Sequence, residues 1–205
     1  MEECQITIQP EESYKIIRKS ILTAQSKVYT VVNSAMVQAY WEIGQEIHKA
    51  CGENDRAEYG KKLLEYLSEQ LTNEFGKGFT VTNLKYMRQF YRAFPNRHTL
   101  CDELSWSHYR LLMRVENEKK RSFYAEECVK SGWSVRQLER QIGTFYYERL
   151  LASQDKEAVE KEIGLPEKVE PKNIIRDPYV LEFLGLEGKT SFYEKDLEQA
   201  IINHL

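Results

Sequence analysis

Tyr14, Ile17, Ile21, Ala24, Val28, Val31 and Ala35 follow one another at steps of three and four in strict alternation. That is the apolar stripe of a helix several turns long, at heptad period. The helix has to bury its stripe, either on the rest of its own domain or on a second copy of the chain, and Ala24 and Ala35 permit close approach in both cases. The domain core is the expected destination, with a homodimer through the 14–35 helix as the alternative. The pattern continues through Ala39, Trp41, Ile43 and Ile47 and fades at Cys51-Gly52, before the polar loop Glu53-Asn54-Asp55.

The remainder of the chain repeats the helical period. From Tyr59 to Phe75 the buried stripe is Leu63, Leu64, Leu67, Leu71 and Phe75, and Gly76 stands where a left-handed C-terminal cap is expected. After the short connection Gly76-Lys77-Gly78-Phe79, Thr80 can cap a helix that Pro95 stops after Phe94. Trp106-Ser107 and Trp133-Ser134 each look like a helix opening with serine as the cap, and Gln137 completes a capping box with Ser134. Asn117 to Ser131 reads as a charged surface helix anchored by Phe123, Tyr124 and Cys128. In the last of these helices Val135, Leu138, Ile142 and Phe145 form the buried side. Alternating Val/Ile/Thr runs bounded by turns are nearly absent. The expected class is all-α: a multi-helix domain over 1–151 with a helix-turn-helix at about 60–94, a linker at 152–178, and a last segment, 179–205, that ends in an amphipathic helix.

Charge is distributed unevenly. The formal net charge is −3, yet residues 1–76 carry 8 basic and 12 acidic side chains, 77–149 carry 14 and 8, and 152–205 carry 7 and 12. Between Glu74 and Asp102 there is no acidic residue, while Lys77, Lys85, Arg88, Arg92 and Arg97 all fall there. At about 100° per residue, a helix from Val81 to Phe94 gathers Thr82, Lys85, Arg88, Gln89 and Arg92 on one arc, and Leu84, Met87, Phe90, Tyr91 and Phe94 on the other. A helix with one apolar face for the core and one cationic, amide-bearing face has the chemistry to read a polyanion.

Other functional classes find little support. Cys4, Cys51, Cys101 and Cys128 are widely spaced and the N-terminus has no signal-peptide pattern, so four reduced thiols in a cytoplasmic protein are expected. His98 with Cys101 is the nearest approach to metal-ligand spacing, but a second ligand pair is missing, and no metal or other cofactor is expected. No apolar run approaches the roughly 20 residues of a membrane span.

Several runs carry a family resemblance: Gly78-Phe79-Thr80, Asn83-Leu84, Met87-Arg88, Phe94-Pro95, Leu104-Ser105-Trp106-Ser107-His108-Tyr109-Arg110-Leu111-Leu112 and Trp133-Ser134-Val135-Arg136-Gln137-Leu138. Together with Trp41-Glu42-Ile43-Gly44 and Asp177-Pro178-Tyr179-Val180-Leu181-Glu182-Phe183-Leu184, they resemble the N-terminal domain of the bacterial YhcG-like family over nearly the whole chain. The resemblance implies that such a domain precedes a metal-dependent nuclease domain of the PD-(D/E)xK type, whose opening helix Glu194 to Leu205 resembles. The strands that would bear the catalytic acids are not in this sequence. Glu118-Lys119-Lys120 and Glu187-Gly188-Lys189 match the motif by letter but lack a further acid on an adjacent strand, and Glu198 alone cannot hold a metal. No catalysis by these 205 residues is therefore expected. A looser resemblance, in the order of elements from Thr80 to Glu139, is to the DNA-binding region of ParB-type partition proteins.

The expected function is a DNA-targeting module. Its candidate contacts to double-stranded DNA are Thr80, Thr82, Asn83, Lys85, Arg88, Gln89 and Arg92 around one helix, with Arg136 and Arg140 as backbone contacts from another. A dimerisation or protein-interaction module that positions a nuclease domain is the competing expectation.

Overall fold

The computed structural model describes residues 10–52, 57–97, 100–154 and 178–183. Among these residues all regular structure is helical. The elements are α1 (Pro10–Cys51), α2 (Ala57–Phe75), a three-residue 3-10 helix (Lys77–Phe79), α3 (Val81–Ala93), α4 (Trp106–Leu112), α5 (Glu118–Ser131), α6 (Val135–Gly143), α7 (Tyr146–Ala152) and α8 (Pro178–Phe183). The expected all-α class holds. The expected linker beyond residue 154 and the final helix at 194–205 lie outside the described residues.

The inner half of α1 is the mast of the core. Asn33, Met36, Val37, Tyr40, Trp41, Gly44, Ile47 and Cys51 are buried on it, and α3 is its main partner. The two helices meet backbone to backbone: a Cβ on Gly44 would lie 2.0 Å from the Met87 carbonyl oxygen. Trp41 fastens the same contact, its indole N–H donating to the Phe94 carbonyl at 2.7 Å while its ring meets Tyr91 edge-on. Beneath them Phe90 touches Trp106 and Tyr109 with ring centroids 5.3 and 4.8 Å apart, and Tyr40 meets Trp106 at 5.0 Å. Such tilted and edge-on pairs add to the burial of large aromatic surfaces.

A second aromatic group, Phe123, Tyr124, Trp133 and Tyr146, joins α5, α6 and α7. The buried Tyr124 hydroxyl donates to the Gln141 carbonyl at 3.2 Å and accepts the Tyr147 N–H. Tyr179, Val180 and Phe183 also reach the core: α8 packs on α1 and on the 3-10 helix, and Phe183 meets Tyr40 edge-on.

Phe75 and Phe145, expected in buried stripes, are 50 and 61% exposed, and two larger expectations are corrected. The stripe from Tyr14 to Ala35 does not enter the domain core. Tyr14, Ile17, Ile21, Val28 and Val31 are 42 to 65% exposed, and Ala24 and Ala35 are exposed too. The other helices gather on the inner half of α1, so the outer half has nothing of its own chain, among the described residues, to pack on. The second correction concerns α4. Its cap is Ser105 rather than Ser107, because the helix opens at Trp106 itself.

Gly44 yields the first test. Gly44→Ala puts a methyl group where the Met87 backbone stands, so the helices must separate, a cost of about 1 to 3 kcal/mol for an overpacked interior. Thermal unfolding followed by circular dichroism should show a lower midpoint by several degrees, at about 2 to 4 °C per kcal/mol for a protein of this size.

Candidate nucleic-acid interface

The turn that presents α3 is built from its own polar groups. Gly76 sits at φ 94° and ψ −166°, a conformation a glycine adopts without strain, and this differs from the expected left-handed cap while serving the same abrupt reversal. Thr80 then caps α3, its hydroxyl accepting the Asn83 N–H at 3.3 Å, and the Asn83 amide donates back to the Gly78 carbonyl at 3.0 Å. Thr80 and Asn83 are thus engaged in shaping the turn. Both stand at the N-terminus of α3, where the helix dipole and free N–H groups favour an anion.

Beyond the turn the outward face of α3 is open. Thr82, Lys85, Gln89 and Arg92 are exposed, one above another at helical spacing, and Arg88 is half-buried at their edge. Leu84, Met87 and Phe90 are fully buried opposite them. No carboxylate among the described residues forms an ion pair with Lys85 or Arg92. The Gln89 amide donates to the Met113 carbonyl at 3.5 Å, a long and weak contact. Of the other cations in the acid-free stretch, Lys77 is exposed beside the turn and Arg97 pairs with Glu42 at 3.2 Å.

Arg136 and Arg140 are exposed on α6, which packs on α4, α5 and α7; α4 in turn packs on α3. The two clusters are therefore joined through α4 rather than sharing one helix pair. Sequence periodicity did not single out Arg114, exposed just past α4 beside Met113. It lies in a turn, so no helical face marks it. Arg110, by contrast, is occupied: its guanidinium stacks over Tyr86 at 4.4 Å and Tyr179 at 5.3 Å, tying α3, α4 and α8 together.

His108 is a structural residue here. The Ser105 N–H donates to Nδ1 at 3.1 Å, so the proton sits on Nε2, which donates to the Trp133 carbonyl at 3.1 Å. The ring closes the cap of α4 and pins it to the start of α6. Among the described residues there is no cluster of three or more His, Cys, Asp or Glu side chains placed to share a metal. Burial pushes the Cys128 thiol up to about 12 and raises Cys101 as well, with Glu103 and Asp102 adding to the latter, so both thiols stay protonated and poorly nucleophilic at neutral pH. His98 and Cys4 lie outside the described residues. None of the described helices is long and apolar enough to cross a membrane.

A helical scaffold that offers one capped, cationic helix face belongs to a recognisable class: residues 16–149 match the DUF1016 N-terminal domain, and the chain belongs to that family. Within it, the chain is 38% identical over 217 aligned residues to the protein named "Putative nuclease YhcG" of Escherichia coli (strain K12). The alignment takes in 89% of this chain and 57% of that relative, so the chain spans little more than half of the relative's length. No solved structure matches.

His108 makes a pH prediction. Burial lowers its pKa below the usual 6.5, against a smaller opposing effect of the Trp133 carbonyl. The neutral ring is therefore the folded form, and its contribution is complete above the unfolded value and lost as pH falls below it toward the folded one. Urea midpoints should drop as pH falls below about 6.5. His108→Gln, which can still accept at the cap, should flatten that part of the profile; an unchanged slope would remove His108 from the account.

Proposed function

We propose that this chain is a DNA-targeting module whose reading element is α3, held by α2 and the intervening turn as the second helix of a helix-turn-helix. The observation that carries the reading is the α3 face itself. Thr82, Lys85, Gln89 and Arg92 stand free of the core on a helix whose other side is fully buried, so the face is rigid, cationic and unneutralised. An α-helix fits the major groove of duplex DNA, where Arg is matched to guanine and Gln to adenine by paired hydrogen bonds. Lys85 and Arg92 meet phosphates, Arg88 and Gln89 reach base edges, Thr80 and Asn83 hold the N-terminus against the backbone, and Arg136 and Arg140 hold the outer helices in register. The reading is supported by the relative's name, "Putative nuclease YhcG", since a nuclease acts on nucleic acid. In this reading the module brings DNA to the catalytic residues of a nuclease domain.

Fluorescence anisotropy with duplex DNA at several salt concentrations tests it. Lys85→Ala weakens binding to every sequence and makes the logarithmic salt slope shallower by about 1, whereas Arg88→Ala costs about 1 to 3 kcal/mol by an amount that depends on the sequence offered. Absence of salt-dependent binding at low ionic strength would end the proposal.

A second reading concerns assembly, and the exposed stripe supports it. On the inner half of α1 the azimuth of the stripe is taken over by exposed Glu42, Glu46 and Lys49, so the apolar patch is confined to 14–35. Its strict three-four spacing is that of a seam between two helices. Light scattering should give twice the chain mass. Ile21→Glu with Val28→Glu, both at positions exposed in the single chain, should give the monomer with unchanged helicity; a monomeric wild type overturns this reading and leaves α3 untouched.

A further inference from the structure

The exposed half of α1 has a second face. From Ser13 to Trp41 the chain has no acidic residue, and Lys15, Arg18, Lys19 and Lys27 lie within that run. All four are exposed, and among the described residues none pairs with a carboxylate. Glu11 and Glu12, the nearest acids, occupy the first turn, where they complement the helix dipole. Lys15 faces Arg18 and Lys19 at spacings of three and four, arrangements that oppose helix formation when the charges are alike. A purely solvated face has no need of them.

Their azimuth is informative. At about 100° per residue, Arg18, Lys15 and Lys19 share one arc with Leu22 and Ser26, and Lys27 flanks it. Continued along the helix, that arc becomes Asn33, Val37, Tyr40, Gly44 and Ile47, the residues buried against the rest of the domain. Lys15, Arg18 and Lys19 therefore lie on the same side of α1 as the domain, the apolar stripe lies on the other, and Lys27 stands between the two. Interfacial helices also set cations opposite an apolar face, so the vesicle measurement below is needed to separate a membrane from a duplex. From Lys15 to Lys27 the helix advances about 18 Å, a length that passes about five phosphates of one strand of a duplex.

We propose that the outer half of α1 is a cationic arm that contacts the phosphate backbone of duplex DNA, lengthening the footprint beyond α3 without reading sequence. The proposal rests on α3 as the primary DNA contact, and the experiment separates the two. Anisotropy is measured over a salt series with duplexes of about one and about three helical turns, 10 to 10.5 base pairs each. The proteins are the wild type, Lys15→Gln/Arg18→Gln/Lys19→Gln/Lys27→Gln, Lys85→Ala, and a control, Lys49→Gln/Lys130→Gln, that removes two cations already paired with Glu46 and Glu127. Glutamine has nearly the helix propensity of lysine and arginine, and far-UV circular dichroism verifies that the fold is kept.

The expected result is a wild-type salt slope steeper on the long duplex than on the short one. The quadruple variant should lose that difference, its slope on the long duplex falling by about 3 to 4 at roughly 0.9 per phosphate contact, while the control stays at the wild-type value. If Lys85→Ala weakens binding but the quadruple variant keeps the wild-type slope, α3 stands and the arm is refuted. If the wild type binds neither duplex, both readings fall. Loss of co-sedimentation with phosphatidylserine vesicles in the quadruple variant, with no change on DNA, would reassign the arm to a membrane.

Discussion

The rest of this structure depends on the contact between Gly44 and the Met87 backbone. With no side chain at Gly44, α1 and α3 approach until backbone meets backbone, and that distance sets everything stacked around it. Trp41 can then reach the Phe94 carbonyl, which closes the C-terminal end of α3, and Phe90 drops between Trp106 and Tyr109. The orientation of α3 is thereby decided by its buried side. Its exposed side inherits a fixed direction without having to make any contact of its own.

The same economy governs the polar groups near the face. Thr80, Asn83 and Gly78 satisfy one another in the turn, Ser105 and His108 satisfy the opening of α4, and Ser134 with Gln137 satisfies the opening of α6. Buried helix ends that lacked such partners would carry the cost of unpaired N–H groups. Arg110 is spent in a comparable way, stacked between two tyrosines from different helices. What remains unspent is Lys85 and Arg92 on α3, and Lys15, Arg18, Lys19 and Lys27 on α1. A charge kept exposed on a rigid helix is available to a polyanion.

Much of this was legible in the residues themselves, for identifiable reasons. The α3 face could be drawn from Thr80 to Phe94 because a helix repeats its azimuth every 3.6 residues, and because Thr80 and Pro95 mark its ends by local chemistry. The capping box at Ser134 was equally local. The cap of α4 was misplaced by two residues because Ser105 and Ser107 are both plausible caps beside Trp106, and the choice is made by His108, whose Nε2 is held at Trp133, 25 residues away. Arg110 could not be assigned either, since its partners Tyr86 and Tyr179 are remote in the chain.

The periodicity of Tyr14 to Ala35 established by itself that this region is a long amphipathic helix, and the acid-free stretch from 75 to 101 established a cationic side to another. Both are local properties, carried by spacing and charge. Which surface covers the stripe is not local. Burial depends on where the other helices stop, and they gather on the inner half of α1, leaving the heptad residues in solvent. Tertiary structure also decided that Lys15, Arg18 and Lys19 share the side of the helix on which the domain packs. A sequence specifies the two faces of a helix; only the packing of its neighbours specifies which face is left over.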